Sequence, residues 1–173
     1  VFDVCLILHA DHTFNASTFA AREVASTRAH MYSAVSAAVG ALSGELHGGA
    51  NYEVMKMLLE IKDESKVPDW VKSKIENGDR IMGMGHAVYK TVDPRSMVLK
   101  ELSKKLSEKT GLPWYDITKK IEETTSEIMK NRKERDIFPN VDLYSASVYY
   151  MLNIPMDLNT PIFAISRVSG WAA

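Results

Sequence analysis

Asn51-Tyr-Glu-Val54-Met-Lys-Met57-Leu58-Leu-Glu-Ile61 places apolar side chains at positions 54, 57, 58 and 61. This is the i, i+3, i+4, i+7 stripe of a helix that turns one face to a core. Asn51 is expected to cap it, and Asp63-Glu64 to begin its exit. The same grammar recurs downstream. Pro68 suits a first helical turn ahead of Trp70, Val71 and Ile75, and Gly78 after Asn77 suits a left-handed stop. Asp93-Pro94 is another start signal, followed by Val98, Leu102 and Leu106 on one face and Gly111 as the stop. Ile117, Ile121 and Ile128 predict a long helix closed before Phe138-Pro139. Tyr144, Val148 and Met151 predict one that starts at or just after Asp142, and Ile162, Phe163 and Ile165 form a last apolar piece. No stretch alternates apolar and polar residues between hairpin turns, so the predicted fold is all-α.

The chain has 173 residues, of which 46% are hydrophobic, enough for a real core and too many for disorder. A formal net charge of -1 gives no basic field for wrapping nucleic acid, which is therefore not an expected partner. The lone Cys5 cannot form an internal disulfide and sits in an apolar run, which fits a core position in a reducing compartment, and a cytoplasmic location is expected. The least polar segment, predicted as a helix over 31–46, is too short and too serine-rich to span a bilayer, so no membrane partner is expected either. The chain begins at Val1 and stops at Ala173 without an initiator methionine or a polar tail, and reads as part of a longer polypeptide.

Chemistry concentrates in Arg80-Ile-Met-Gly83-Met-Gly85-His86-Ala-Val-Tyr-Lys90-Thr-Val-Asp93-Pro94-Arg95. Glycines let a backbone approach a ligand closely, His86 can donate a hydrogen bond to a developing oxyanion, and Arg95 can grip a carboxylate with its planar fork. Together they suit a small acid. The loop is not a dinucleotide fingerprint, because Val88 stands where the third glycine would be and no strand precedes it. His9, Asp11 and His12 lack the cysteine cluster or His-Glu-x-x-His helix that would finish a ligand set, and no metal is expected.

Three further motifs accompany this loop: His9-Ala-Asp-His12, Leu46-His47-Gly-Gly-Ala-Asn51 and Pro139-Asn140-Val-Asp142. Taken singly, Asp142 at a helix start is an ordinary cap and His47 before two glycines an ordinary turn residue. In this order, the four motifs resemble the citrate synthase family, and the resemblance runs from His9 to Trp171 in its shorter prokaryotic style.

The resemblance implies a multi-helical fold and condensation of acetyl-CoA with oxaloacetate to citrate and CoA. It implies Asp142 as the base that removes a methyl proton, His47 as the donor to the thioester carbonyl and His86 as the donor to the keto oxygen of oxaloacetate. It further implies His12, Arg95 and Arg167 as oxaloacetate contacts, and a coenzyme lying over Arg80, Ile81, Met82, Gly83 and Met84 with Lys90 toward phosphate. No permanently bound cofactor is implied, because CoA enters as a co-substrate. Residues 1–48 correspond to the end of a large helical domain, 49–153 to a small domain and 154–173 to the return into the large one. The small residues from Ser33 to Gly44 let helix backbones approach closely, and by the resemblance they belong to a homodimer interface. A 2-methylcitrate synthase using propionyl-CoA has the same catalytic set. A further alternative is a CoA-binding piece that does not turn over by itself, because the family takes one more oxaloacetate arginine from a partner's C-terminal segment.

Overall fold

The computed structural model describes residues 1–44, 47–86, 91–132 and 136–173. Among them the chain is helical, with α1 (Phe2–His9), α2 (Ala16–Ser26), α3 (Met31–Leu42), α4 (Ala50–Ile61), α5 (Val67–Glu76), α6 (Pro94–Thr110), α7 (Trp114–Asn131), α8 (Val141–Met151) and α9 (Asn159–Ala172). Two short 3-10 turns, Glu64–Lys66 and Met156–Leu158, join them, and the described residues contain no β-strand, only one isolated antiparallel bridge between Met84 and Pro139. The all-α reading is borne out. The helices fall into two compact units, one of Val1–Ala50 with Asp157–Ala173 and the other of Asn51–Met156.

In the first unit α2 lies along α3, and α9 packs against α1, α2 and α3. Ala34, Ala38 and Leu42 form the buried stripe of α3, four residues apart, so its covered face is narrow. Met31, Tyr32 and Val39 remain exposed on the same helix. The predicted extension of this helix to Leu46 is corrected: α3 ends at Leu42 with Ser43 as its cap, and the Ser43 N–H bonds to the Val39 carbonyl at 2.9 Å. The reason lies in the returning chain. A methyl group on Gly48 would stand 2.1 Å from the Leu42 carbonyl oxygen, so the backbone at Gly48 crosses directly over the helix end. Cys5 is fully buried, and burial pushes its thiol up to about 11, the state of an inert core residue.

In the second unit α5 packs on α7, and α6, α7 and α8 pack mutually. Val54, Leu58, Val71, Leu99, Ile117, Ile121 and Leu143 are buried to within 2% and form its centre. Fully burying each such side chain is worth about 1.5–3 kcal/mol. Serine hydroxyls let α6 approach α8 closely: Ser103 and Ser147 meet at 2.8 Å. The punctuation read from the sequence operates as expected: Asp93 caps α6 through the Arg95 N–H, and Gly111 closes it in the left-handed region at φ 72°. Asn51 departs from expectation. It lies inside the first turn of α4 rather than before it, and its amide donates to the hydroxyl of Ser145 on α8. A long-range partner replaces the local cap.

Among the described residues no helix is long and apolar enough to cross a membrane.

Candidate active site

The first unit holds His12, His47 and Arg167. His47 sits on the turn after α3, its N–H bonded to the Gly44 carbonyl at 2.9 Å, and Thr160 at the start of α9 donates to the neighbouring Gly48 carbonyl at 2.8 Å. Its ring is fixed by the N-terminus of α2. The Ser17 main-chain N–H donates to Nε2 at 3.2 Å, with the Ser17 hydroxyl 2.9 Å from the same atom. A nitrogen that accepts a main-chain N–H carries no proton, so the neutral ring keeps its proton on Nδ1. Burial, with help from the positive Arg167, holds His47 below the ordinary imidazole pKa of 6.5. The outcome is a neutral hydrogen-bond donor of defined tautomer.

Arg167 is 1% exposed and donates from Nε to the His9 carbonyl at 2.6 Å, with its guanidinium 4.7 Å from the centre of the Phe163 ring. A charge with that little exposure has to be met by partners inside the protein, and the His9 carbonyl and the Phe163 ring are two of them. The His9 ring is engaged in the core: Nδ1 donates to the Cys5 carbonyl at 2.8 Å, and the ring meets Phe163 edge-on. His12 is half-buried, and its carbonyl accepts the side-chain amide of Asn15 at 3.0 Å.

The second unit holds Arg80 to Met84, His86, Arg95 and Asp142. Lys90 lies outside the described residues, as does Leu46 of the Leu46–Asn51 motif. Gly83 and Gly85 adopt φ of 80° and 87°, conformations a side chain disfavours, and a methyl on Gly83 would be 2.8 Å from the Leu143 Cα. The loop therefore lies flat against the first turn of α8. Asn140 N–H donates to the Gly83 carbonyl at 2.9 Å, Gly85 N–H to the Phe138 carbonyl at 2.7 Å, and the Asn140 amide to the Gly85 carbonyl at 2.9 Å. His86 leaves one end of this ladder and Asp142 follows the other. Asp142 is half-buried in the first turn of α8, where the helix dipole favours a carboxylate. Of the proposed coenzyme loop, Ile81 is buried, Arg80 is exposed, and the Met84 N–H is bonded to the Ile81 carbonyl at 3.1 Å.

Beyond His86, Asp93 is fully buried and grips Arg95 in a two-point pair, Nε to Oδ1 at 3.0 Å and Nη2 to Oδ2 at 2.7 Å. One edge of the Arg95 fork is thus held by the protein. His86 is held below its ordinary pKa chiefly by burial, with Asp93 acting upward and Arg95 downward.

Sequence reading missed the supporting residues Ser17 and Asn15, and it read Asp93 as a helix start and Asn140 as part of a motif without the side chains and carbonyls they hold. Asn15 and Asp93 stand just ahead of helix starts, and that local signal was available; the partners they hold were not. A part-buried cluster went unforeseen altogether. Tyr144 donates to Glu122, which also accepts Lys100 Nζ at 2.8 Å. Burial and that carboxylate hold the Tyr144 phenol far above its usual range, and the cluster ties α8 to α6 and α7.

All 173 residues match the family model described as citrate synthase, C-terminal domain. "Citrate synthase 2" of Bacillus subtilis is 51% identical over 99% of this chain and 45% of its own length. A 2-methylcitrate synthase of Shewanella oneidensis is 44% identical over 100% of this chain and 45% of its own. The solved ternary complex of citrate synthase from Thermoplasma acidophilum with carboxymethyl coenzyme A and oxaloacetate superposes with a TM-score of 0.89 at 40% identity, over 99% of this chain and 45% of that one. The chain belongs to the citrate synthase family. It spans under half the length of these relatives.

Proposed function

We propose that this chain supplies the condensing residues of an enzyme that joins acetyl-CoA to oxaloacetate, releasing citrate and CoA. The methyl group of a thioester is a very weak acid, so a carboxylate removes its proton only while the carbonyl oxygen receives a hydrogen bond. Asp142 is the base and the Nδ1–H of His47 is the donor in this reading. The enol carbon then attacks the keto carbon of oxaloacetate, whose oxygen takes its hydrogen bond from His86. Water hydrolyses the citryl thioester and the thiol of CoA departs. His12, Arg95 and Arg167 take the dicarboxylate, and residues 80–84 with Lys90 take the coenzyme. In the complete enzyme the exposed apolar residues of α3 meet a second copy. The chain alone, under half of its relatives' length, is a CoA-binding piece without turnover.

The observation that carries this reading is the main-chain N–H on His47 Nε2, which makes the ring a neutral donor rather than a cation. A cation there would be drawn into an ion pair with the base instead of sharing the work with it. Asp142→Asn in the complete polypeptide is expected to lower turnover roughly 10²–10⁴-fold, the usual worth of a general base, with oxaloacetate affinity nearly unchanged. Near-normal exchange of the acetyl methyl protons in that variant would remove Asp142 from the role.

The 2-methylcitrate synthase among the relatives favours a second reading, propionyl-CoA as the acyl donor. One methylene in an apolar pocket discriminates by only about 1–3 kcal/mol. The ratio of kcat/KM for the two thioesters decides between them.

A further inference from the structure

The geometry points to Asn140 as the positioning residue that sets His86 against Asp142 within the second unit, a role that rests on the reading of those two residues given above. Its side chain works in two directions at once. Oδ1 accepts the Asp142 N–H at 2.9 Å, which is the ordinary N-cap of α8. Nδ2 donates at 2.9 Å to the Gly85 carbonyl, 55 positions away and part of the peptide that carries His86. Its main-chain N–H holds the Gly83 carbonyl at 2.9 Å, and Phe138 takes the Gly85 N–H at 2.7 Å.

The two main-chain bonds fix the loop near the helix at the Gly83 carbonyl and at the Gly85 N–H. The side-chain bond from Asn140 adds a grip on the Gly85–His86 peptide by its carbonyl. Gly85 has φ of 87° and no side chain to limit its rotation, so a bond to its carbonyl bears directly on the peptide that leads into His86. A planar amide suits this task, because one side offers an acceptor and the other a donor at fixed separation. Serine and aspartate cap helices as well as asparagine does, yet neither can reach back with an N–H.

That difference makes the test. In the complete polypeptide, Asn140→Ala loses both the cap and the bridge, whereas Asn140→Ser keeps a neutral cap and loses only the bridge. Asn140→Ser is expected to melt near the parent, well above Asn140→Ala. Its kcat is expected to fall roughly 10–100-fold, the scale set by a misplacement of about 1 Å, with KM for acetyl-CoA little changed. The carbonyl stretch of bound oxaloacetate, which reports the hydrogen bond from His86, is expected to move toward its value in free solution. Parental kcat and carbonyl frequency in Asn140→Ser would overturn the inference, leaving Asn140 a cap only. A loss of kcat that merely follows the folded fraction would overturn it too. His86→Gln and Asp142→Asn are measured alongside: if these leave turnover and the carbonyl frequency untouched, the underlying reading fails, whereas if they alone are impaired, only the role of Asn140 fails.

Discussion

Asn15 and Asn140 are the same device used over different distances. Each caps a helix with its side-chain oxygen, Asn15 accepting the Thr18 N–H at 3.1 Å and Asn140 the Asp142 N–H at 2.9 Å. Each spends its amide on the carbonyl of a segment that carries a proposed site residue. Asn15 reaches His12, three residues back, while Asn140 reaches Gly85, 55 positions away. The consequence differs. In the first unit a histidine is oriented by secondary structure, because the N–H that fixes His47 belongs to the first turn of the helix Asn15 caps. In the second unit the peptide that leads into His86 is held by a tertiary bridge that no helix would form by itself.

If that contrast is right, damage to the bridge should exceed damage to the local cap. Gly83→Ala carries the largest expected effect, because its methyl would overlap Leu143 at 2.8 Å in a backbone conformation of φ 80°. Overpacking and left-handed strain together imply a loss of about 2–5 kcal/mol, read by urea unfolding. Gly111→Ala is the sharpening control, since φ is 72° and nothing lies within 4 Å of the new methyl. It should cost only about 1–2 kcal/mol, the strain alone. If the two variants unfold alike, the loop is not pressed against α8.

Asn15→Ala should cost about 1 kcal/mol, the worth of an N-cap. Asn15→Ser should restore most of it and, unlike Asn140→Ser, should leave turnover of the complete polypeptide close to parental. A large loss of kcat in Asn15→Ser would break the comparison, because it would show the amide bond to His12 to matter as much as the one to Gly85.

The last prediction concerns protons. His47 and His86 are both held below the ordinary value of 6.5, chiefly by burial. Between the lowered values and 6.5 the unfolded chain binds protons that the folded chain refuses, so stability falls as pH drops through that window and is fully present above it. The melting temperature should therefore decline below pH 6.5, and less steeply in a His47→Gln, His86→Gln double variant. Heteronuclear spectra of the His47 ring at neutral pH should show the proton on Nδ1; a protonated Nε2 would contradict the Ser17 contact.

Legibility followed the range of the interaction. Asp93-Pro94, Gly111 and Pro68 were readable as helix punctuation because capping and left-handed stops involve only near neighbours. The end of α3 was misread for the opposite reason. The reading carried the helix to Leu46 through Ser43-Gly44-Glu45, while in the structure it stops at Leu42, where the chain at Gly48 crosses the Leu42 carbonyl. Asn51 was read as a cap from its place before an apolar stripe, but Ser145, 94 positions away, takes its side chain.

The sequence by itself determined the helices from α4 to α9, the membership of the family and the identity of the residues proposed to act. Stripe periodicity, caps and ordered motifs are all written in short spans of the chain. Only the tertiary structure decided how those residues are held: which nitrogen of His47 keeps its proton, that Asp93 occupies one edge of the Arg95 fork, and that Asn140 grips the peptide before His86. Hydrogen-bond partners far apart in sequence are chosen by packing, which brings a donor and an acceptor within about 3 Å only after the helices have docked.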